Sequence, residues 1–219
     1  MKRKVTVILT TLLCLAPILL GLYLYDQLPD MVPTHFNANW EPDGWSSKPM
    51  AVFGLPCLMA GLNLLCFFAF EQMKKRDSDR KVAPDTLMSF CFWIPAAISV
   101  FMVPMTLLMA IGKDIPLTTI LNIFMGLTFL VAGNYMPKCR MNAYVGLKFP
   151  WTYSSEENWY KTHRLGGFVW VIAGALLLLN AVLDLPVLGA IAVLPAILIP
   201  GVYSFFLYRK DKERGATED

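Results

Sequence analysis

The chain has 219 residues, of which 56% are hydrophobic and only 16% charged, where soluble domains carry about 25% charged residues. Its mean hydropathy is +0.52 and its net charge +3. These values exclude disorder, a disulfide-stapled secreted module and an ordinary water-soluble enzyme, and so small a net charge gives no reason to expect direct contact with nucleic acid. The expected class is an all-α integral membrane protein.

A helix needs roughly 20 apolar residues to cross a hydrocarbon core about 30 Å thick. The first such run is Val5 to Tyr25, preceded by Lys2, Arg3 and Lys4. It is longer than the apolar region of a signal peptide and lacks a small-x-small cleavage site, so an uncleaved anchor is expected. A long connection follows, Asp26 to Pro49, with prolines at 29, 33, 42 and 49. Val32 to Asn37 suits a short extended segment with Thr34 and Phe36 on one face and His35 and Asn37 on the other. Pro42-Asp43-Gly44 reads as a turn, flanked by Trp40 and Trp45. These tryptophans suit either headgroup anchors or a ligand-facing aromatic surface. Asp26, Asp30, Glu41 and Asp43 outweigh Lys48, a field that attracts cationic ligands.

Met50 to Phe70 is the second span, and Thr86 to Ile111 the third, with Pro95 and Pro104 inside it. The fourth, Leu117 to Tyr135, follows a short connection. Leu165 to Tyr208 would make a single helix about 66 Å long. One charge interrupts it, so it is expected to fold as a hairpin at Asp184-Leu185-Pro186. The expected architecture is six transmembrane helices in three hairpins.

Between the fourth and fifth spans lies a second long connection, Met136 to His163. Ser154-x-x-Glu157 resembles a capping box and predicts a helix start, with Glu157 and Lys161 at a favourable i, i+4 spacing. Trp151, Trp159 and Tyr160 suit a short amphipathic helix in the headgroup zone. A docking surface for a cytoplasmic partner and a plain membrane anchor remain equal alternatives for it. Gly166-Gly167 would permit a bend or close helix packing.

The basic residues orient the chain. With both termini in the cytoplasm, 17 of the 19 Lys and Arg residues lie inside and only Lys48 and Lys113 outside, as the positive-inside rule requires. No outer loop holds a cysteine: Cys14, Cys57, Cys66 and Cys91 lie in spans and Cys139 inside, which implies apolar packing and no disulfide framework. The spans hold no ionisable residue apart from Asp184 at the hairpin tip, which disfavours an ion-driven transporter. Asn63, Asn122 and Asn180 are expected to bond between helices. His35 and His163 fall on opposite sides, so no shared metal site is expected, and no motif calls for a cofactor.

Two sets of residues match known patterns. The stretch Asn134-Tyr135-Met136-Pro137-Lys138-Cys139-Arg140-Met141-Asn142, then Gly146, Pro150-Trp151-Thr152, Trp159 and Thr162-His163-Arg164-Leu165-Gly166-Gly167 resembles the signature of the SdpI family. Leu28-Pro29-Asp30, Pro33-Thr34-His35-Phe36-Asn37, Pro42-Asp43-Gly44 and Ser47-Lys48 resemble the DUF1648 domain that accompanies it. The resemblance divides the chain into a DUF1648-like hairpin, 1–85, with its outer loop 26–49, and an SdpI-like four-helix part, 86–219, with its inner loop 136–164.

The family comprises bacterial immunity proteins against a secreted sporulation-delaying toxin. The resemblance implies protection from an antimicrobial peptide without catalysis. It also implies signalling, in which toxin engagement lets the protein hold a cytoplasmic transcriptional repressor at the membrane. On this reading a secreted cationic peptide would meet His35, Phe36, Asn37, Trp40 and Trp45 outside. Inside, the partner or motif residues would be Asn134, Pro137, Arg140, Asn142, Gly146, Pro150, Trp151, Thr152, Trp159, His163 and Arg164. Two alternatives stand beside it. One is a passive pore or exporter for a small or peptidic solute. The other is a headgroup-layer enzyme, which would need Glu156 or Glu157 to converge with His163.

Overall fold

The computed structural model describes residues 2–37, 41–76, 85–142 and 145–218. Two compact units divide the chain: Met1–Arg76 with Met88–Leu117, and Asp77–Leu87 with Thr118–Asp219. Among the described residues, six helices are long and apolar enough to cross a membrane: Arg3–Tyr23, Met50–Gln72, Ser89–Ala110, Leu117–Lys138, Glu156–Leu183 and Val187–Glu213. The protein is a multi-pass, all-α membrane protein, and the six expected spans are all present.

In the first unit the opening span is two helices in line, α1 (Lys2–Leu15) and α2 (Pro17–Tyr23). Pro17 has no N–H to continue the ladder, and the helix breaks at Ala16. A 3-10 turn at Tyr25–Gln27 leads to strand β1 (Met31–Phe36), which pairs antiparallel with β2 (Pro42–Ser47). The extended segment was expected; its partner strand was not. Pro42-Asp43-Gly44 is not the turn but part of β2, and the chain reverses between Asn37 and Glu41. The Asn37 amide N–H donates to the Glu41 carbonyl at 2.9 Å, and the Glu41 N–H to Asn37 Oδ1 at 3.0 Å. The register shifts between Pro33 and Phe36, a bulge that Gly44 permits, because a Cβ there would lie 2.8 Å from His35 Cβ. Val32, fully buried, pins the hairpin to a core of Leu24, Leu28, Ala51, Val52, Val103 and Leu107.

After Pro49 the second span opens with a π turn, Met50–Gly54, before α3 (Leu55–Arg76). The Leu55 N–H reaches back five residues to the Met50 carbonyl, since Pro56 offers no N–H to continue the usual spacing. Helix α4 (Asp85–Ala110) continues through Pro95 and Pro104. One polar knot joins three helices of this unit. The buried Asn63 amide turns its nitrogen to the Phe92 carbonyl at 3.0 Å and its oxygen to the Thr10 and Thr11 hydroxyls at 2.8 and 3.0 Å. Ser99 Oγ donates to the Cys14 carbonyl at 2.6 Å.

The second unit contains α5 (Leu117–Tyr135), α6 (Glu156–Leu183) and α7 (Pro186–Glu218). The predicted hairpin turns where expected, at Asp184, whose φ of +48° closes α6 in the left-handed conformation. Asn180 holds this turn: its carbonyl accepts from the Asp184 N–H and its Oδ1 from the Leu185 N–H, both at 2.9 Å. Its Nδ2 donates to Asn122 Oδ1 on α5 at 3.3 Å. Helices α5 and α6 cross on paired glycines, Gly126 against Gly174 and Gly133 against Gly167. A Cβ on any of the four would stand 2.7–3.0 Å from the facing glycine's carbonyl oxygen, the close approach typical of membrane helices. Pro200 in α7 leaves the Ala196 carbonyl without its helical donor, and Trp170 Nε1 supplies one at 2.9 Å while its ring stacks on Phe129.

Candidate functional site

The connection that carries the second motif is tied to the start of α6 and to the middle of α7 by hydrogen bonds. A 3-10 turn at Pro150–Ser154 delivers Ser155, whose side chain accepts from the Asn158 N–H and caps α6. The capping serine is thus one residue later than Ser154, which belongs to the 3-10 turn. Nor does a separate amphipathic helix form, because Glu156–Leu183 is one continuous helix.

Asn158, buried in the first turn of α6, uses both ends of its amide. Its Nδ2 donates to the Trp151 carbonyl (3.2 Å), Ser154 Oγ (3.2 Å) and the Ser204 carbonyl on α7 (3.0 Å). Its Oδ1 accepts from Thr162 Oγ1 (3.0 Å) and Ser204 Oγ (2.7 Å), and Thr152 Oγ1 lies 3.2 Å from Ser204 Oγ. Trp151 Nε1 donates to the Gly201 carbonyl at 3.0 Å, a second tie to α7. Among the described residues every buried side-chain nitrogen and oxygen has a partner, the condition under which a polar core holds one arrangement.

Next to Asn158 and one turn on, Trp159 and His163 form the second half of this lattice. Trp159, 1% exposed, donates its indole N–H to the Cys139 carbonyl at 2.9 Å. His163, 0% exposed, stacks on Trp159 with ring centroids 4.0 Å apart. Its Nδ1 lies 2.8 Å from the Trp159 carbonyl, and its Nε2 2.9 Å from the Leu147 N–H. Facing an acceptor at Nδ1 and a donor at Nε2, only the neutral Nδ1–H ring satisfies both contacts. Gly146, with φ +127°, passes directly over the ring, where a Cβ would meet Nε2. Asn142 braces the same loop, bonding the Arg140 and Val145 carbonyls and the Val145 N–H at 2.7–3.0 Å, while Tyr153 Oη donates to the Asn142 carbonyl at 3.1 Å.

The motif residues therefore fall into two sets. Asn142, Thr152, Trp159 and His163 are buried, Gly146 and Trp151 half-buried, and Pro137 packs on Gly167. Asn134, Arg140, Pro150 and Arg164 are exposed. His163 is not the exposed residue its polarity suggests. Glu157 turns outward to Lys161 at 2.5 Å and Glu156 is exposed, so the acid/base convergence that an enzyme reading needs does not form. Asn158, Ser204 and Gly201 were missed from the sequence; the available signal was a serine three residues after a glycine in an otherwise apolar span.

In the first unit, His35 is exposed and bonds Asp43 across the hairpin through Nδ1. Phe36 and Asn37 are half-buried, and Trp45 is 54% exposed opposite Pro33. Trp40 lies outside the described residues. Lys48 folds back over the Tyr25 ring, 5.1 Å from its centroid, and Asp26, Asp30, Glu41 and Asp43 are all exposed. Among the described residues no group of three His, Cys, Asp or Glu side chains could hold a metal ion.

Comparison with known proteins follows these same two regions. Residues 12–60 match the family model for a domain of unknown function, DUF1648, and residues 138–209 match the SdpI/YfhL protein family. The chain is 25% identical to the "Immunity protein SdpI" of Bacillus subtilis (strain 168) over 213 residues, 96% of this chain and 98% of that protein. No solved structure matches. The match over 138–209 contains the whole of α6 and the Asn158–Ser204 and Trp159–His163 lattice: over that segment the chain is similar to the SdpI/YfhL family, and ahead of it to the DUF1648 domain.

Proposed function

We propose that this protein confers immunity to a secreted cationic antimicrobial peptide, with both termini in the cytoplasm and the β1–β2 hairpin outside. The observation that carries the reading is the similarity to a toxin-immunity protein along nearly the whole of both chains. The hairpin's chemistry supports it. The hairpin and the turn ahead of it carry four exposed carboxylate residues and an exposed Trp45, while Lys48 is drawn onto Tyr25, which suits a basic, amphipathic peptide. His35, Phe36, Asn37, Trp40 and Trp45 are the proposed contacts.

The second half of the proposal is signalling. Peptide binding favours one helix arrangement over another. The exposed Arg140 and Pro150 of the inner motif, with Asn134, then engage a cytoplasmic transcriptional repressor. The buried members, Asn142, Gly146, Thr152, Trp159 and His163, hold that surface in shape.

Survival of a sensitive bacterium expressing the protein tests the first half. Protection is expected against a cationic peptide toxin and is expected to weaken in an Asp30→Asn, Asp43→Asn, Trp45→Ala variant. Unchanged killing across a panel of such toxins refutes immunity. For the second half, Arg140→Ala is expected to abolish induction of a repressor-controlled reporter while protection persists.

A further inference from the structure

We propose that a groove between α6 and α7 seats an anionic phospholipid, with the phosphate at Arg164 and the start of an acyl chain along Leu165 and Phe168. The groove measures about 580 Å³ and is lined by Tyr160, Lys161, Arg164, Leu165, Phe168 and Tyr203. Its lining is sorted along the helix axis. Lys161 and Arg164 stand one turn apart at the end nearer the α6 N-terminus, and Leu165 and Phe168 continue the same face one turn further on. From Lys161 to Phe168 the axis rises about 10 Å, a span that takes a headgroup phosphate at one end and hydrocarbon at the other. Tyr160 and Tyr203, both exposed, pair an apolar ring with a hydroxyl, as suits the boundary between the two zones.

The charge within the groove selects the headgroup. Lys161 is already paired with Glu157 at 2.5 Å. Among the described residues no carboxylate pairs with the exposed Arg164, which is thus the cation left for a ligand. A guanidinium binds phosphate oxygens in bidentate fashion, more specifically than a lysine. The groove also adjoins the buried lattice: Thr162 and His163 lie between Lys161 and Arg164 in the chain, and Tyr203 precedes Ser204. A lipid seated here holds α6 against α7 beside the Asn158–Ser204 bonds.

Native mass spectrometry of the full-length protein in neutral detergent tests this, with phosphatidylglycerol and phosphatidylcholine of matched chains as the probes. A basic residue near the membrane surface contributes about fivefold in affinity for an anionic lipid. One phosphatidylglycerol is therefore expected to be retained about fivefold better than phosphatidylcholine. Arg164→Gln is expected to reduce that preference about fivefold, while Lys210→Gln, exposed on α7 outside the groove, leaves it unchanged. Phe168→Ala is expected to weaken retention of both lipids. Equal retention of the two lipids overturns the proposal, as does an equal loss in Lys210→Gln, which would mean a diffuse surface field. Displacement by millimolar inorganic phosphate overturns it too, since the ligand would then be the free ion. None of these readings depends on toxin immunity.

Discussion

Replacing Gly146 by Ala tests whether the His163 lattice is the structural centre of the second unit. Two costs follow from the geometry. At φ +127° an L residue is strained, by about 1–3 kcal/mol for such backbone regions. The new methyl would also fall on His163 Nε2, so the ring must leave its place between the Leu147 N–H and the Trp159 carbonyl. Each buried hydrogen bond left unmade costs about 1–3 kcal/mol. If the ring's displacement loses one bond fully and the other by half, the sum is about 2.5–7.5 kcal/mol, a large share of the about 5–15 kcal/mol that holds a typical domain folded. Equilibrium unfolding in mixed micelles measures the loss, and amide hydrogen exchange at Leu147 reads the broken bond directly. Gly61→Ala is the control. A Cβ there meets nothing within 4 Å, so a change of no more than about 1 kcal/mol is expected, toward greater stability from helix propensity. If Gly146→Ala unfolds within about 1 kcal/mol of the parent and the Leu147 amide stays slow to exchange, the glycine is not there to make room for the histidine.

Two further substitutions probe the same unit. Trp170→Phe keeps the stack on Phe129 but removes the donor to the Ala196 carbonyl that Pro200 leaves free, and is expected to destabilise by about 1–3 kcal/mol; a Trp170→Phe, Pro200→Ala double variant should recover much of that loss, and no recovery would refute the pairing. Gly133→Val places side-chain carbons against the Gly167 carbonyl and the Val171 N, 2.8 and 2.9 Å from the new Cβ, and is expected to cost about 1–3 kcal/mol by forcing α5 and α6 apart; a cysteine pair reporting on that crossing would cross-link less readily, and unchanged cross-linking would count against close glycine packing.

The spans were legible because the hydrocarbon core sets a length that composition alone can meet or fail, and a charge-free run of the right length has few other readings. The turn at Asp184 was legible for the same reason, since a run twice the membrane thickness must fold back at its one charged, proline-marked point. The interhelical role of Asn63 and Asn180 was likewise readable, for a buried amide in an apolar span has only other helices to bond. The hairpin was half-legible. Alternation marked β1, but a Pro-Asp-Gly sequence carries a turn signal whether or not the chain turns there. Only the core beneath Val32 and the pairing of Asn37 with Glu41 moved the reversal upstream and drew those residues into β2.

What tertiary structure alone decided is which motif residues face inward. A histidine beside an arginine in a charged connection reads as exposed, because sequence reports polarity and not the partners that satisfy it. His163 is buried since the Leu147 N–H, sixteen residues upstream, and the Trp159 carbonyl accommodate its two nitrogens at once. Asn158 is buried since Ser204, on the next helix, supplies a donor and an acceptor. Hydrogen bonding between positions so far apart in the chain leaves no periodicity to read. Composition places this protein in a membrane; only the close approach of α6, α7 and the loop over them determines which polar groups are sealed inside and which remain to meet a partner.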